Sequence, residues 1–232
     1  YRLYGEADAP NKIIFTMGLG GDHHMFEPQI RYFSSEENRK LFRTLYYDGA
    51  GVNLSDENPG RWSTRSLAKD ALDLLDSLGW TESVHIVGLS MGGMITQELA
   101  KMDLKRFASM SLLSTTYGGF SSLGMFLQSP GGLFTILRTF TASKPDERLK
   151  RGLQILFPPS FLDERVAGSD ADQTVSRAKI FGKILQERGK TALREGGRPL
   201  SITTVLKQAF AVATHGLSRE DFERLDNHFR NA

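Results

Sequence analysis

A chain of 232 residues with 29 basic and 27 acidic side chains, a formal charge of +2 and 40% hydrophobic residues has the composition of an ordinary globular protein. Near-balanced charge of interspersed sign excludes a dominant electrostatic grip on nucleic acid. The absence of cysteine excludes disulfides, thiolate metal sites and thiol nucleophiles, and suits a reducing compartment such as the cytoplasm.

In chain order, Tyr1-Arg2-Leu3-Tyr4 reads as the tail of a strand whose hairpin partner is missing. Lys12 to Met17 reads as a buried strand that runs into Gly18-Leu19-Gly20-Gly21. A dinucleotide fingerprint would need a third glycine where His23 stands, and no phosphate-binding G-x-x-x-x-G-K-[ST] occurs, so no nucleotide cofactor is expected. His23 and His24 are expected to make structural polar contacts and, being adjacent, to point apart, so no metal site is expected. A helix follows over Met25 to Phe33, then a strand over Leu41 to Tyr47 and a turn, Asp48-Gly49-Ala50-Gly51-Val52-Asn53-Leu54-Ser55.

Leu67, Ala71, Leu74, Leu75 and Leu78 fall at helical spacing and form one apolar stripe, with Ser63 or Thr64 as cap, Gly79 as terminator and Asp70, Asp73 and Asp76 on the solvated side. Val84 to Val87 is the next strand, with His85 packed at its start. Gly88-Leu89-Ser90-Met91-Gly92 turns it into a helix over Met94 to Lys101, and Phe107 to Leu113 is a further strand. Strands alternating with helices predict an α/β fold: a mostly parallel sheet with helices on both faces.

From Thr116 onward the pattern becomes helical, with no convincing strand. Tyr117 to Leu137 is rich in apolar side chains, Phe120 and Phe126 among them, broken by Pro130-Gly131-Gly132; it reads equally as the lining of an acyl-sized pocket and as plain helical packing. Its short, interrupted apolar runs exclude a transmembrane span. Helices are expected over Asp170 to Arg188, Ser201 to Thr214 and Ser218 to Phe229, the last capped by Ser218 with Asp221 three places on. Arg138 to Arg198 carries 13 basic and 8 acidic side chains, read as solvated helix faces. The expected division is a core over 1–116 and an all-helical cap over 117–232.

The pentapeptide around Ser90 carries the chemistry. A G-x-S-x-G elbow needs small residues two places either side of the serine because the flanking backbones crowd each other, and it lifts the hydroxyl above the sheet. Taken with the glycine loop and the Asp48 turn, in that order, residues 12 to 116 resemble the α/β-hydrolase superfamily in its lipase and esterase-like branch. The resemblance implies Ser90 as nucleophile, the backbone N–H groups of Leu19 and Met91 as oxyanion hole, and Gly18, Gly20, His24, Phe120 and Phe126 as candidates for the substrate pocket. Met17 stands where the family's loop often has histidine, a small change because only a backbone amide is needed. The implied substrate is an apolar ester or related acyl compound, with no cofactor, no metal and no nucleic acid.

The family places a carboxylate and then a histidine on strands after the cap. No segment after residue 200 reads as strand, turn and carboxylate, and Ser114-Thr115-Thr116 offers hydroxyls only. His215 and His228 keep the expected chain order but fall on helical segments, so neither is expected to act as base. The expectation is a fragment whose acid and histidine lie beyond residue 232, with Phe107 to Leu113 left as an uncovered edge. Dehalogenase or epoxide chemistry is disfavoured, since such relatives carry aspartate at the position of Ser90. A non-catalytic binding protein of the same fold, or a protein that docks on lipid or a partner through Phe120 to Leu137, remains the alternative.

Overall fold

The computed structural model describes residues 1–118, 138, 139, 142, 144–167 and 174–230. The apolar pocket candidates Phe120 and Phe126 lie outside the described residues, as does most of the Tyr117 to Leu137 stretch.

Five strands form one sheet in the order β1-β3-β2-β4-β5: β1 (Arg2–Tyr4), β2 (Asn11–Thr16), β3 (Phe42–Tyr46), β4 (Val84–Leu89) and β5 (Phe107–Leu113). All neighbours run parallel except β1, which pairs antiparallel with β3. The antiparallel pairing of β1 with β3 is non-local, and residues 1–4 alone cannot announce it.

Side-chain alternation along β2 divides the core. Ile14 joins Leu45, Val84 and Ile86 on one face, while Ile13 and Phe15 join Phe26 and Tyr46 on the other. The first face is covered by α2 (Thr64–Ser77), through Leu67, Ala68, Ala71 and Leu75, and by α3 (Met91–Met102), through Met94, Ile95 and Leu99. The second is covered by the short helix α1 (Glu27–Phe33), whose Ile30 and Phe33 pack beside Phe26. Helices thus lie on both faces of the sheet. The predicted stripe and caps of α2 hold: Ser63 and Ser66 cap each other's backbone N–H groups, and Gly79 leaves the helix at a φ of 68°.

The region after residue 144 differs in part from expectation. Two helices were not foreseen, α4 (Pro145–Leu156) and α5 (Pro159–Asp163); both start on proline, whose fixed φ suits the first helical position. Two short strands, β6 (Arg165–Ala167) and β7 (Thr174–Ser176), pair antiparallel where no strand was expected; three residues each are too few to show a period. Then come α6 (Arg177–Arg194), which begins at its Ser176 cap, later than the predicted Asp170, α7 (Ile202–Ala213) and α8 (Arg219–Arg230), opened by the foreseen Ser218–Asp221 capping pair. Ala211, Val212 and Leu225 join the core cluster of α2 and α3. β5 ends the sheet order, with Leu112 41% and Leu113 47% exposed, which agrees with the expected edge.

At the turn from β4 to α3 three backbones meet. A Cβ on Gly92 would fall on the Thr16 peptide, 2.6 Å from its carbonyl carbon and 2.8 Å from the Met17 oxygen. By contrast Gly152, within α4, has nothing within 4 Å of such an atom. Gly92→Ala should cost at least about 2 kcal/mol of folding stability through overpacking. Gly152→Ala should add up to about 1 kcal/mol from helix propensity. Urea unfolding of the two variants should therefore move in opposite directions.

Candidate active site

Ser90 stands between β4 and α3 at φ 56° and ψ −122°, a left-handed backbone conformation rare for a residue with a side chain. Three glycines permit it. A Cβ on Gly88 would meet the Cα of Gly93 at 2.6 Å, one on Gly93 would meet the Thr115 side chain at 2.6 Å, and Gly92 abuts Thr16. The Ser90 N–H donates to the Leu113 carbonyl at 2.9 Å and Thr115 Oγ1 donates to the Ser90 carbonyl at 2.7 Å, so the strained residue is held from both sides by the end of β5. Ser90 is itself exposed.

The glycine loop after β2 lies directly against this serine. A Cβ on Gly18 would be 3.0 Å from Ser90 Cβ and 3.5 Å from Ser90 Oγ. Met91 opens α3, where the N–H groups of the first turn have no acceptor within the helix. Gly20, at φ 68°, donates its N–H to Gln208 Oε1 at 2.8 Å. Gln208 is a fully buried residue of α7, 188 positions away, and sequence reasoning missed it because nothing local marks a helical glutamine as a loop anchor. Gly18, Met91 and Gln208 border a cavity of about 350 Å³ that also reaches Thr16, Asp48 and Asp70. Among the described residues its walls mix apolar and acidic groups.

The loop continues into His23, which meets Asp48 of the turn after β3, a pair the sequence did not connect. Asp48, its side chain 6% exposed, accepts from the His23 N–H at 2.8 Å, faces His23 Nδ1 at 2.9 Å and accepts from Asn53 Nδ2 at 2.8 Å. Burial opposes ionisation of this carboxyl, but the His23 ring, the His23 N–H and Asn53 outweigh it and hold it below the ordinary carboxylate range. The turn that follows closes on Asp48 as well, with Ser55 Oγ donating to its carbonyl at 2.7 Å. Asp48 therefore ties the turn after β3 to the loop after β2.

The expectation that His23 and His24 point apart is overturned. They lie on a short 3-10 turn capped by Asp22, not on a strand that would alternate them, and their rings lie side by side with centroids 4.0 Å apart and planes tilted by 33°. His24, placed among the pocket candidates, is buried between Asp22 and Glu195.

The other histidines are engaged away from Ser90. His85 Nδ1 meets Ser109 Oγ at 2.7 Å. His228 Nε2 meets the Phe107 carbonyl at 3.2 Å; Phe107 pairs with Val84, so this contact lies at the opposite end of the strands from Ser90, roughly 20 Å away at the ordinary strand rise. His215 is buried, with Nδ1 against Thr64 Oγ1 at 2.9 Å and Nε2 against Gln97 Oε1 at 3.4 Å, which fastens the end of α7 to α2 and α3.

The sequence profile of the alpha/beta hydrolase fold matches residues 11–149. The chain belongs to the α/β-hydrolase-fold family. This α/β-hydrolase is similar to "Putative carbamate hydrolase RutD" of Azorhizobium caulinodans, with 26% identity over 200 residues, 85% of this chain and 69% of the relative. It is 34% identical over 116 residues to "3-oxoadipate enol-lactonase 1" of Acinetobacter baylyi, 49% of this chain and 40% of that protein. Among solved structures, the enol-lactonase from Burkholderia xenovorans LB400 superposes with a TM-score of 0.62 at 21% identity, over 93% of this chain and 70% of that one, which speaks for the fold alone. The chain thus spans between two fifths and seven tenths of the length of these relatives.

Burial, and then Lys101, push the His215 imidazole down from 6.5 to about 4. A folded value below the unfolded one means that the unfolded chain binds the extra proton, so the stabilisation is full above pH 6.5 and is lost as pH falls from 6.5 toward about 4. Urea midpoints should decline across that window, and His215→Gln should flatten this part of the decline.

Proposed function

We propose that the intact protein is a serine hydrolase that opens a carboxylic ester or a related acyl compound through an acyl-enzyme on Ser90. The observation that carries this reading is the exposed Ser90 at φ 56°, with the Gly18 backbone against it and the first turn of α3 behind it. The relatives' names, a carbamate hydrolase and an enol-lactonase, support carbamates and cyclic esters as members of the substrate class.

In this reading Ser90 Oγ loses its proton to a general base and attacks the carbonyl carbon. The carbonyl oxygen takes the negative charge and is held by the N–H groups of Leu19 and Met91. Collapse of the tetrahedral species expels the leaving group and leaves an acyl ester on Ser90, which water attacks in the second half of the cycle. Residues 117–232 serve as the cap, and Gln208 on α7 anchors the oxyanion loop from that side. The base is the missing part. His23 is held by Asp48, His24 is buried between Asp22 and Glu195, and His85 is held by Ser109, His215 by Thr64 and Gln97, and His228 by β5. We place the base outside this chain's described histidines.

A fluorophosphonate probe tests the assignment. In a full-length protein, labelling should map to Ser90 and vanish in Ser90→Ala. The 232-residue chain alone should label weakly and turn over esters at no more than the residual of about 10³ to 10⁴ over water that an oxyanion hole and binding supply without a triad. Absence of labelling in a folded full-length protein would favour a non-catalytic binding role, and brisk ester turnover by the 232-residue chain would show that one of its own groups is the base.

A further inference from the structure

The cluster behind the glycine loop is not needed for the chemistry proposed at Ser90, yet it is built in two layers. His23 and His24, from the 3-10 turn, and Glu195, at the C-terminal end of α6, bring one ligating atom each to within 4.8 Å of one another. Each imidazole also has a carboxylate on its other side. Asp48 Oδ1 lies 2.9 Å from His23 Nδ1, and Asp22 Oδ1 lies 3.3 Å from His24 Nδ1, while Glu195 Oε2 lies 3.5 Å from His24 Nε2.

His24 is 8% exposed, and neither of its ring nitrogens makes a hydrogen bond among the described residues, although both face carboxylates at contact distance. A buried ring with unsatisfied nitrogens is a cost that a native fold ordinarily offsets with water or an ion. The hydrogen bond of His23 Nδ1 to Asp48 fixes the tautomer with the proton on Nδ1 and leaves the lone pair of Nε2 for a ligand, the arrangement in which an outer carboxylate orients a metal-binding histidine.

We propose that His23, His24 and Glu195 form a site for a divalent transition metal of the zinc class, with Asp48 and Asp22 as the outer carboxylates. Two imidazoles and one carboxylate favour Zn²⁺ over Mg²⁺ or Ca²⁺, which prefer all-oxygen shells. Zinc bonds of about 2.0–2.2 Å bring ligand atoms closer together than they now stand, and Glu195, the exposed member, has the freedom to close in. It would give up its 3.3 Å ion pair with Arg2 to do so. Three protein ligands leave a coordination position for water. The bound metal would clip α6 to the segment that follows Gly18-Leu19-Gly20-Gly21, and so steady the loop beside Ser90.

The test is metal binding and does not depend on catalysis. The 232-residue chain, stripped with chelator and titrated with Zn²⁺ by calorimetry, should take up one equivalent. Co²⁺ should give the visible absorption bands of a low-coordinate nitrogen and oxygen site, and Zn²⁺ should raise the unfolding temperature where Mg²⁺ does not. Glu195→Gln and His24→Ala should each weaken binding at least about tenfold, Asp22→Asn, which keeps the cap acceptor, by about tenfold, and His85→Ala should leave it unchanged. If His24→Ala fails to fold, Glu195→Gln on its exposed position still decides. No saturable uptake near one equivalent, or undiminished uptake by Glu195→Gln, would overturn the proposal.

Discussion

The close approach of three backbones at the C-terminal end of the central strands governs everything else in the molecule. Thr16 at the end of β2, Ser90 at the end of β4 and Thr115 just past β5 converge on Gly88, Gly92 and Gly93, where a single added Cβ would collide with main chain or with the Thr115 side chain. Only with hydrogen in place of side chains can the strand turn into α3 within one residue. The strain that results is concentrated on Ser90, whose hydroxyl is exposed at the point where the glycine loop passes closest. Parallel neighbours make this possible, because they bring the C-terminal ends of β2, β4 and β5 to one edge of the sheet.

The segments after residue 144 are fastened to that edge by polar contacts with distant partners. Gln208 accepts the Gly20 N–H, Thr204 and Ser201 donate to Glu57, and His215 bridges Thr64 and Gln97. Thr204, Gln208 and His215 are buried, so these bonds satisfy polar groups that burial would otherwise leave costly, and α7 and the loops beneath it order one another. The cavity beside Gly18 and Met91 is bounded partly by α7 through Gln208, and it is shaped by this docking as much as by the sheet.

Histidine shows why residue type and order alone mislead. Five are present, and their places in the chain suggested His215 or His228 as the members to weigh for a triad. The fold commits His215 to holding helices together and sets His228 against the far end of β5, while the pair beside the glycine loop brings its rings into contact and gathers three carboxylates around itself. Asp48 was legible only as a turn residue, because its partner lies 25 positions earlier on another loop.

What the chain's order of residues determined by itself is local: the period of α2 and its serine cap, the buried runs of β2 and β4, and the glycine spacing around Ser90 that admits one kind of turn. These follow from steric and solvation rules acting over a few neighbouring residues. Tertiary structure decided the pairing of β1 with β3, the short β6 and β7 ladder, the anchoring of Gly20 by Gln208 and the meeting of His23, His24 and Glu195. Such contacts join residues far apart in the chain, and no period or composition records them, because their energy exists only once the sheet and its helices have brought the partners within reach.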